Sequence, residues 1–126
     1  MTNWPSREVA VAWAAGFIDG EGYIGIYLPA TGRNGERYPQ PQIQAYNNDV
    51  EPLEDLKELF GGGVWLKAPA GSEGIRGMRH TDYYRWGINA HSAGKAAKEL
   101  YPYLHGKRKE SALEIIKLYE DKSVIL

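Results

Sequence analysis

Apolar positions at the start of the chain follow a helical period. Small or apolar residues recur at spacings of three and four: Val9, Ala12, Trp13, Gly16 and Phe17. This spacing places them on one side of a helix. Ser6 lies where a helix N-cap is expected, and Glu8 suits the first turn. We therefore predict a first helix that begins after Ser6 and ends near Asp19 and Gly20.

From Tyr23 onward the period changes to two, which is typical of a strand with one buried face. Ile24, Ile26 and Leu28 fall on one side of this strand, and tyrosine and glycine fall on the other. A second alternating run, PQPQIQAYN, has one polar face made of Gln40, Gln42, Gln44 and Tyr46. Its prolines confine the beginning of the strand to an edge or a bulge, because proline donates no ladder hydrogen bond.

A second helix and a second pair of strands follow. Asp49 is its predicted N-cap, Gly61 ends it, and its core stripe is Leu53, Leu56, Leu59 and Phe60. Two further runs with strand character, GVWLKA (63–68) and TDYYRWGIN (81–89), are joined by PAGSEGIRGMRH. We predict that these runs pair and that the segment between them is a loop.

Helical patterns return in the last third of the chain. Ser92 is predicted to open a third helix that runs to about Leu104, and a fourth helix spans roughly Lys107 to Asp121. The predicted order is α-β-β-α-β-β-α-α, in one domain that covers residues 1–126. Hairpins beside helices indicate an α+β fold, with an antiparallel sheet that has helices on one face and is open on the other.

The open face of this sheet is where we expect function. By alternation it carries Tyr27, Gln42, Gln44, Tyr46, Lys67 and Arg85. Amide side chains bond bidentately to adenine, and tyrosine contacts phosphates or apolar base edges. The large aromatic residues predicted to fill the core are Trp13, Trp65 and Trp86.

Composition excludes several classes of function. The 126 residues include no cysteine, which rules out a disulfide framework and a thiolate zinc site. No segment has the pattern of a signal peptide or a membrane span, so we expect an intracellular, soluble chain with no membrane partner. The net charge is −1, but basic residues cluster locally. Candidate contacts to phosphates or bases in loops and in the last basic cluster are Arg33, Arg37, Arg76, Arg79 and Lys109.

The first helix ends in the segment AAGFIDGEG (14–22), where two carboxylates flank a glycine. A stripe at helical spacing leads to it: Ala12, Ala15, Gly16 and Asp19. The stripe packs either on the chain's own sheet or on a second copy of the helix across a two-fold axis. The second arrangement brings carboxylates together, and a hard cation such as Mg²⁺ removes their repulsion and activates water against a phosphodiester. Glu21 and the Gly20 carbonyl are its natural ligands.

AAGFIDGEG resembles the LAGLIDADG motif of the homing endonucleases. The identical positions are Ala15, Gly16, Ile18, Asp19 and Gly22, and the conservative ones are Phe17 and Glu21. The segment LYPYLHGKRKESALEIIKLYE, which begins at Leu100, is similar to the C-terminal segment of that family. The predicted order of helices and strands is also the family's, so the resemblance spans nearly the whole chain.

The resemblance implies an activity and a set of partners. A chain with one motif is expected to act as a homodimer on double-stranded DNA. The expected reaction is metal-dependent hydrolysis of both strands across the minor groove of a long pseudo-palindromic site, which leaves short 3′ overhangs. The expected cofactor is Mg²⁺ or another divalent cation such as Mn²⁺.

The resemblance also assigns roles to individual residues. Glu21 takes the position of the metal-binding acid, where the family more often has aspartate, and Gly20 lends its carbonyl. Lys107 falls near the scissile phosphate, and Asn47 falls in the solvent network around the metal. Asp19 corresponds to an acid that makes hydrogen bonds at the helix end, and it belongs with Ala12, Ala15 and Gly16 to the expected dimer interface.

Two other functions remain open on the sequence alone. The same scaffold can serve as a binding protein, either an intron maturase that binds RNA or a DNA-binding protein that no longer cleaves. An unrelated α+β interaction domain is the third possibility. Clustered carboxylates at the end of the first helix argue for retained catalysis, because a site without chemistry has little use for them.

Overall fold

The computed structural model describes residues 4–28, 35, 38–74 and 77–120 of the chain. The helices are α1 (Arg7–Glu21), α2 (Val50–Phe60), α3 (Ala90–Leu100) and α4 (Gly106–Glu120), with a 3₁₀ turn at Tyr101–Tyr103. The strands are β1 (Gly22–Tyr27), β2 (Gln40–Asn47), β3 (Gly63–Ala68), β4 (Glu73–Gly74), β5 (Gly77–Met78) and β6 (Tyr83–Asn89). Arg33, Arg37 and Arg76 lie outside the described residues, so the contacts proposed for them stay predictions.

Strands β1, β2, β6 and β3 form one antiparallel sheet in that order, and β4 pairs with β5 as a separate hairpin. Pro41 of β2 pairs with Ile26 of β1, whereas the pairing of β2 with β6 begins at Gln42. On the β6 side, Pro41 therefore occupies the edge-like position that its missing N–H requires.

The core lies between one face of the sheet and the helices. The sheet contributes Ile24, Ile43, Ala45, Trp86 and Ile88, all of them buried. The helices contribute Ala14, Ile18, Leu53, Leu56, Ala97 and Ile115, which are fully buried. The indole N–H of Trp86 donates to the Gly61 carbonyl at 2.9 Å, so this large buried ring leaves no polar group unpaired. The predicted α+β fold, with helices on one face of an antiparallel sheet, is confirmed.

Short-range chemistry sets the helix boundaries. The predicted caps are confirmed, because Ser6 Oγ accepts from the Val9 N–H at 3.2 Å and Asp49 Oδ1 accepts from the Glu51 N–H at 3.0 Å. The prediction for the third helix was wrong at both ends, since α3 begins at Ala90 and stops at Leu100. Pro102 has no N–H to continue an α-helix, and the chain passes into the 3₁₀ turn.

Two further predictions were wrong. The segment between β3 and β6, predicted to be a loop, contains the β4–β5 hairpin, and Gly77 at its turn has a φ of +101° that suits glycine. Trp65 was predicted to lie in the core but is 49% exposed on the outer face of the sheet. The alternation of β3 directs Val64 toward the core, and Trp65 therefore points outward.

Candidate nucleic-acid interface and active-site cleft

Asp19, the first acid of the DGEG segment, is bonded within its own chain. Its Oδ1 accepts from the backbone N–H of His105 at 3.4 Å, and its Oδ2 lies 3.0 Å from Nδ1 of the same residue. His105 immediately precedes α4. Arg108, in the first turn of α4, donates from Nε to the Gly22 carbonyl at 3.0 Å. Asp19 thus makes helix-end hydrogen bonds, and α4 is fastened to the junction of α1 and β1.

Glu21, the second acid, has no such partner. It is the last residue of α1, it is exposed, and no side chain in the described ranges bonds to its carboxylate. Gly22 follows as the first residue of β1, and a Cβ there would lie 2.8 Å from both the Gln44 carbonyl oxygen and Ile18 Cγ2. Only glycine fits between the helix and β2, so the position of Glu21 relative to the sheet is fixed.

Glu21 opens onto a cleft of about 830 Å³. The other described residues that line it come from the end of β2 and from the hairpin segment: Asn47, Asn48, Gly74, Gly77, Met78, Arg79, His80, Thr81 and Tyr83. The structure therefore brings Asn47 and Glu21 to the same cleft. Lys107 is exposed in the first turn of α4 and is not one of the described lining residues.

The cleft offers oxygen donors for a hard cation. Within the described ranges, no three or more carboxylate or histidine side chains come close enough to hold a metal. Glu21 provides a carboxylate with no bond to a described side chain, while both oxygens of Asp19 are directed at His105. Gly20, whose carbonyl is the other predicted ligand, is exposed but is not among the described residues that line the cleft. These donors are suited to Mg²⁺ or Mn²⁺, which keep several water ligands, but they form an incomplete site within a single chain.

The outer face of the sheet carries the side chains that alternation predicted. Tyr27, Gln42, Gln44, Tyr46 and Arg85 alternate along their strands with residues directed at the core. Lys67 lies at an irregularity of β3, next to the exposed Leu66. The register places Tyr46 beside Arg85 and Arg85 beside Trp65, so the three form a row across β2, β6 and β3. The phenolic O–H of Tyr46 donates to Gln44 Oε1 at 2.8 Å. These side chains lie on the outer face of the sheet, and the contacts that they make with DNA stay predictions.

Cations and aromatic rings alternate on this outer face. The Arg85 guanidinium lies 4.9 Å from the centre of the Trp65 ring, and the Lys67 ammonium lies 6.0 Å from that of Tyr46. Gly63 makes room for the indole, since a Cβ there would be 2.8 Å from Trp65 Cζ2. Trp65 lies against the strand backbone beside a groove of about 460 Å³ that Gln42 and Gln44 also line. Positive charge is thus spread over a flat aromatic surface.

The side of α1 that faces away from the core is open. Val9 is 44% exposed, and a Cβ at Gly16 or Gly20 would meet no atom within 4 Å. One predicted member of the dimer interface has to be corrected, because Ala15 is 0% exposed and packs in the chain's own core. The open stripe retains Ala12 and Gly16, which remain predictions for a dimer contact.

Sequence reasoning missed several residues of the cleft. Asn48, His80 and Thr81 line it beside Glu21. The available signal was the run RHTD directly before β6, which places polar residues at the end of the sheet where α1 also ends. Lys109, a predicted DNA contact, lies on α4 with its Nζ 5.0 Å from the centre of the Tyr101 ring.

The fold matches solved structures of homing endonucleases. It superposes on I-CvuI in complex with the I-CreI target with a TM-score of 0.68 at 18% identity, covering 90% of this chain and 68% of that one. It superposes on the archaeal intron-encoded I-Vdi141I complexed with DNA with a TM-score of 0.63 at 16% identity, covering 91% and 69%. The sequence matches no family model and no curated protein.

A third match differs in coverage. The meganuclease I-SmaMI bound to uncleaveable DNA gives a TM-score of 0.63 at 20% identity, with 96% of this chain but only 39% of that chain covered. The protein therefore has the fold of the LAGLIDADG homing endonucleases.

In the part of the chain that the structure describes, no helix is long and apolar enough to cross a membrane.

Proposed function

We propose that this chain is a single-motif LAGLIDADG homing endonuclease that acts as a homodimer on double-stranded DNA. The observation that carries the proposal is Glu21, an exposed carboxylate without a partner among the described residues, held in a cleft at the end of a cation-bearing sheet. The fold shared with homing endonucleases that were crystallised on DNA supports the same function.

The dimer is proposed because the metal site is incomplete in one chain. Pairing two copies of α1 through the open stripe at Ala12 and Gly16 brings together two helix ends and two Glu21 carboxylates. The two sheets then form a continuous saddle that lies in the major groove on either side of the cut. Side chains such as Gln42, Gln44 and Arg85 are positioned to read base edges there.

Each residue of the proposed site has a specific task. Glu21 and the Gly20 carbonyl would hold Mg²⁺ or Mn²⁺, which when bound supplies Lewis-acid activation of water and phosphate. Asn47 orients the attacking water through its amide. Lys107 places an ammonium near the scissile phosphate and stabilises the charge that develops on its oxygens. Hydrolysis of both strands with a stagger across the minor groove leaves short 3′ overhangs.

A cleavage selection tests this function. The protein is incubated with a randomised duplex pool and Mg²⁺, and the cut ends are sequenced. We expect one pseudo-palindromic site with staggered ends from the wild-type protein, and no cut ends from Glu21→Gln. The control is Glu54→Gln, which removes an exposed carboxylate from α2 on the helical side and should cut as the wild type does.

A binding protein on the same scaffold is the second candidate. It is favoured by Trp65, whose half-exposed ring lies against the sheet beside two glutamines, because flat rings of this kind stack on unpaired bases of RNA. If the pool gives no cut ends while the protein retains DNA or intron-like RNA, the binding function replaces the nuclease. Binding to neither nucleic acid would overturn both candidates.

A further inference from the structure

The β4–β5 hairpin carries a cation into the cleft that contains Glu21. Arg79 follows β5, its backbone N–H donates to the Ser72 carbonyl at 2.8 Å, and its own carbonyl accepts from the Gly71 N–H at 2.8 Å. These two bonds continue the pairing of the hairpin beyond Met78, with Arg79 on one side and Ser72 and Gly71 on the other. The backbone position of Arg79 is therefore fixed, although it lies in a segment that the sequence presents as a loop.

The side chain of Arg79 is held on two sides. Its guanidinium carbon lies 5.0 Å from the centre of the Tyr83 ring, and this ring stacks on Tyr46 at 6.0 Å. On the hairpin side, a Cβ at Gly74 would be 3.4 Å from the same carbon. An aromatic ring and a glycine backbone thus hold the guanidinium in one orientation, which lowers the entropy lost when it binds a ligand.

Among the described residues, the guanidinium nevertheless has no anionic partner. Its Nε is buried and unbonded, and no acceptor among the described residues takes a hydrogen bond from the side chain. A buried donor without an acceptor costs free energy, so a ligand, an ion or a water molecule is expected to supply the acceptor, and a phosphate oxygen entering the cleft is of that kind. Arg79 is also the single lysine or arginine among the described residues that line the cleft.

We propose that Arg79 binds a non-bridging oxygen of the scissile phosphate in the cleft beside Glu21. This inference rests on the proposed function and deepens it, since it adds a catalytic cation that the hairpin carries and the family motif does not include. A phosphodiester and a carboxylate are both negatively charged, so a cation beside them reduces their repulsion. A guanidinium supplies that charge and presents several N–H donors to the phosphate in a rigid fork. Its contact strengthens as negative charge develops on the phosphate oxygens during attack.

The test separates cleavage from phosphate binding. Single-turnover cleavage is measured for wild type, Arg79→Gln and Arg79→Lys on the selected site. We expect cleavage by Arg79→Gln to fall about 100-fold, as for the loss of one donor to a transition-state anion. We expect Arg79→Lys to recover part of the rate, because it restores the charge without the fork. Circular dichroism melting checks that each variant is folded.

Salt dependence of binding gives a second readout that needs no cleavage. Binding to the selected site and to random duplex is measured in the Glu21→Gln background over a range of salt concentrations. Loss of one phosphate contact in each protomer lowers the slope of log K against log salt by about 1.8, at about 0.9 for each contact. The control is Lys98→Gln, an exposed charge on α3, which should leave the slope unchanged.

The outcomes are distinguishable. If the wild type cleaves and Arg79→Gln has the same cleavage rate and the same salt slope, the role of Arg79 is overturned. The proposal of a nuclease is then unaffected. A wild-type protein that does not cleave overturns the nuclease, and the slope on random duplex then decides whether Arg79 binds phosphate. A reduced slope with an unchanged cleavage rate overturns the contact to the scissile phosphate, because it places Arg79 on another phosphate of the duplex.

Discussion

The two sides of α1 differ in how fully their groups are satisfied. The inner side is closed, since Ala10, Ala14 and Ile18 are fully buried against the sheet and the other helices. The outer side exposes Val9 and the backbone at Gly16. A glycine inside a helix costs about 1 kcal/mol relative to alanine, and no described residue packs where a Cβ at Gly16 would lie.

The same contrast recurs in the last turn of the helix. Asp19 is 19% exposed at its side chain and is bonded to His105, whereas Glu21, two residues later, is exposed and has no bond to a described side chain. Residues that are buried or bonded within the chain stabilise the fold. Exposed residues without a bond to a described side chain are the ones we expect to contact a second molecule. Three changes sharpen or break this comparison, two of them on α1 and one at Glu99 of α3, which bonds to Arg7 at the beginning of α1.

The largest effect is expected from Gly16→Leu on the open side. The leucine should stabilise the isolated helix but separate two packed copies, at a cost of about 1–3 kcal/mol in each. We expect sedimentation to give about 28 kDa, twice the 14.1 kDa of one chain, for wild type and a single-chain mass for the variant. Lys57→Leu adds the same side chain to α2 and should remain dimeric. A dimeric Gly16→Leu would place the interface elsewhere.

An intermediate effect is expected from Asp19→Ala on the bonded side of the last turn. Removing the bonds to His105 should lower the free energy of unfolding by about 1–2 kcal/mol, measured by urea titration at one protein concentration. Glu21→Gln should unfold as the wild type does, because no described side chain bonds to that carboxylate. If the two variants lose stability equally, the division between a structural and a functional acid is wrong.

The smallest effect is expected at the beginning of α1. Arg7 donates from Nε and Nη2 to the Glu99 carboxylate at 2.8 and 2.9 Å, and the two side chains are 55% and 37% exposed. The hydrogen bond from Arg7 holds the pKa of Glu99 below its usual 4.5. Because solvent screens exposed pairs, Glu99→Gln should cost about 0.5 kcal/mol or less at neutral pH.

The sign of the pH dependence follows from the direction of that shift. A lowered pKa means that the pair contributes stability above the ordinary carboxylate value of 4.5, and that this contribution is lost as the pH falls through the lower folded-state pKa. Urea titrations of wild type and Glu99→Gln should therefore converge in acid. A difference that persists or grows below that value would mean that Arg7 does not act through the charge of Glu99.

Local patterns were sufficient to predict most of the fold. The caps at Ser6 and Asp49 depend on neighbours within three residues, and the outer face of β2 depends on strict alternation, so both could be read directly. The end of α3 before Pro102 also had a local signal, which the prediction missed. The outward position of Trp65 had none, because it depends on which face of β3 packs against the helices.

The candidate site divides in the same way. The motif was sufficient to predict Glu21 and Asp19. Arg79 was predicted only as a residue of a loop, because its position over Tyr83 depends on a hairpin whose strands are two residues long. The bond between Asp19 and His105 joins residues 86 positions apart and has no signature in either local sequence. In both cases the local sequence does not specify which residues meet in the folded chain.

The alternation along the sheet has a consequence for how such a protein changes over generations. Gln42 and Gln44 project from the outer face while Ile43, between them, is buried. Under the proposed function, a mutation at either glutamine alters which bases the surface contacts and leaves the core packing unchanged. The binding preference of the sheet can therefore change while the stability of the fold is retained. Evolution or protein engineering can make such changes one position at a time.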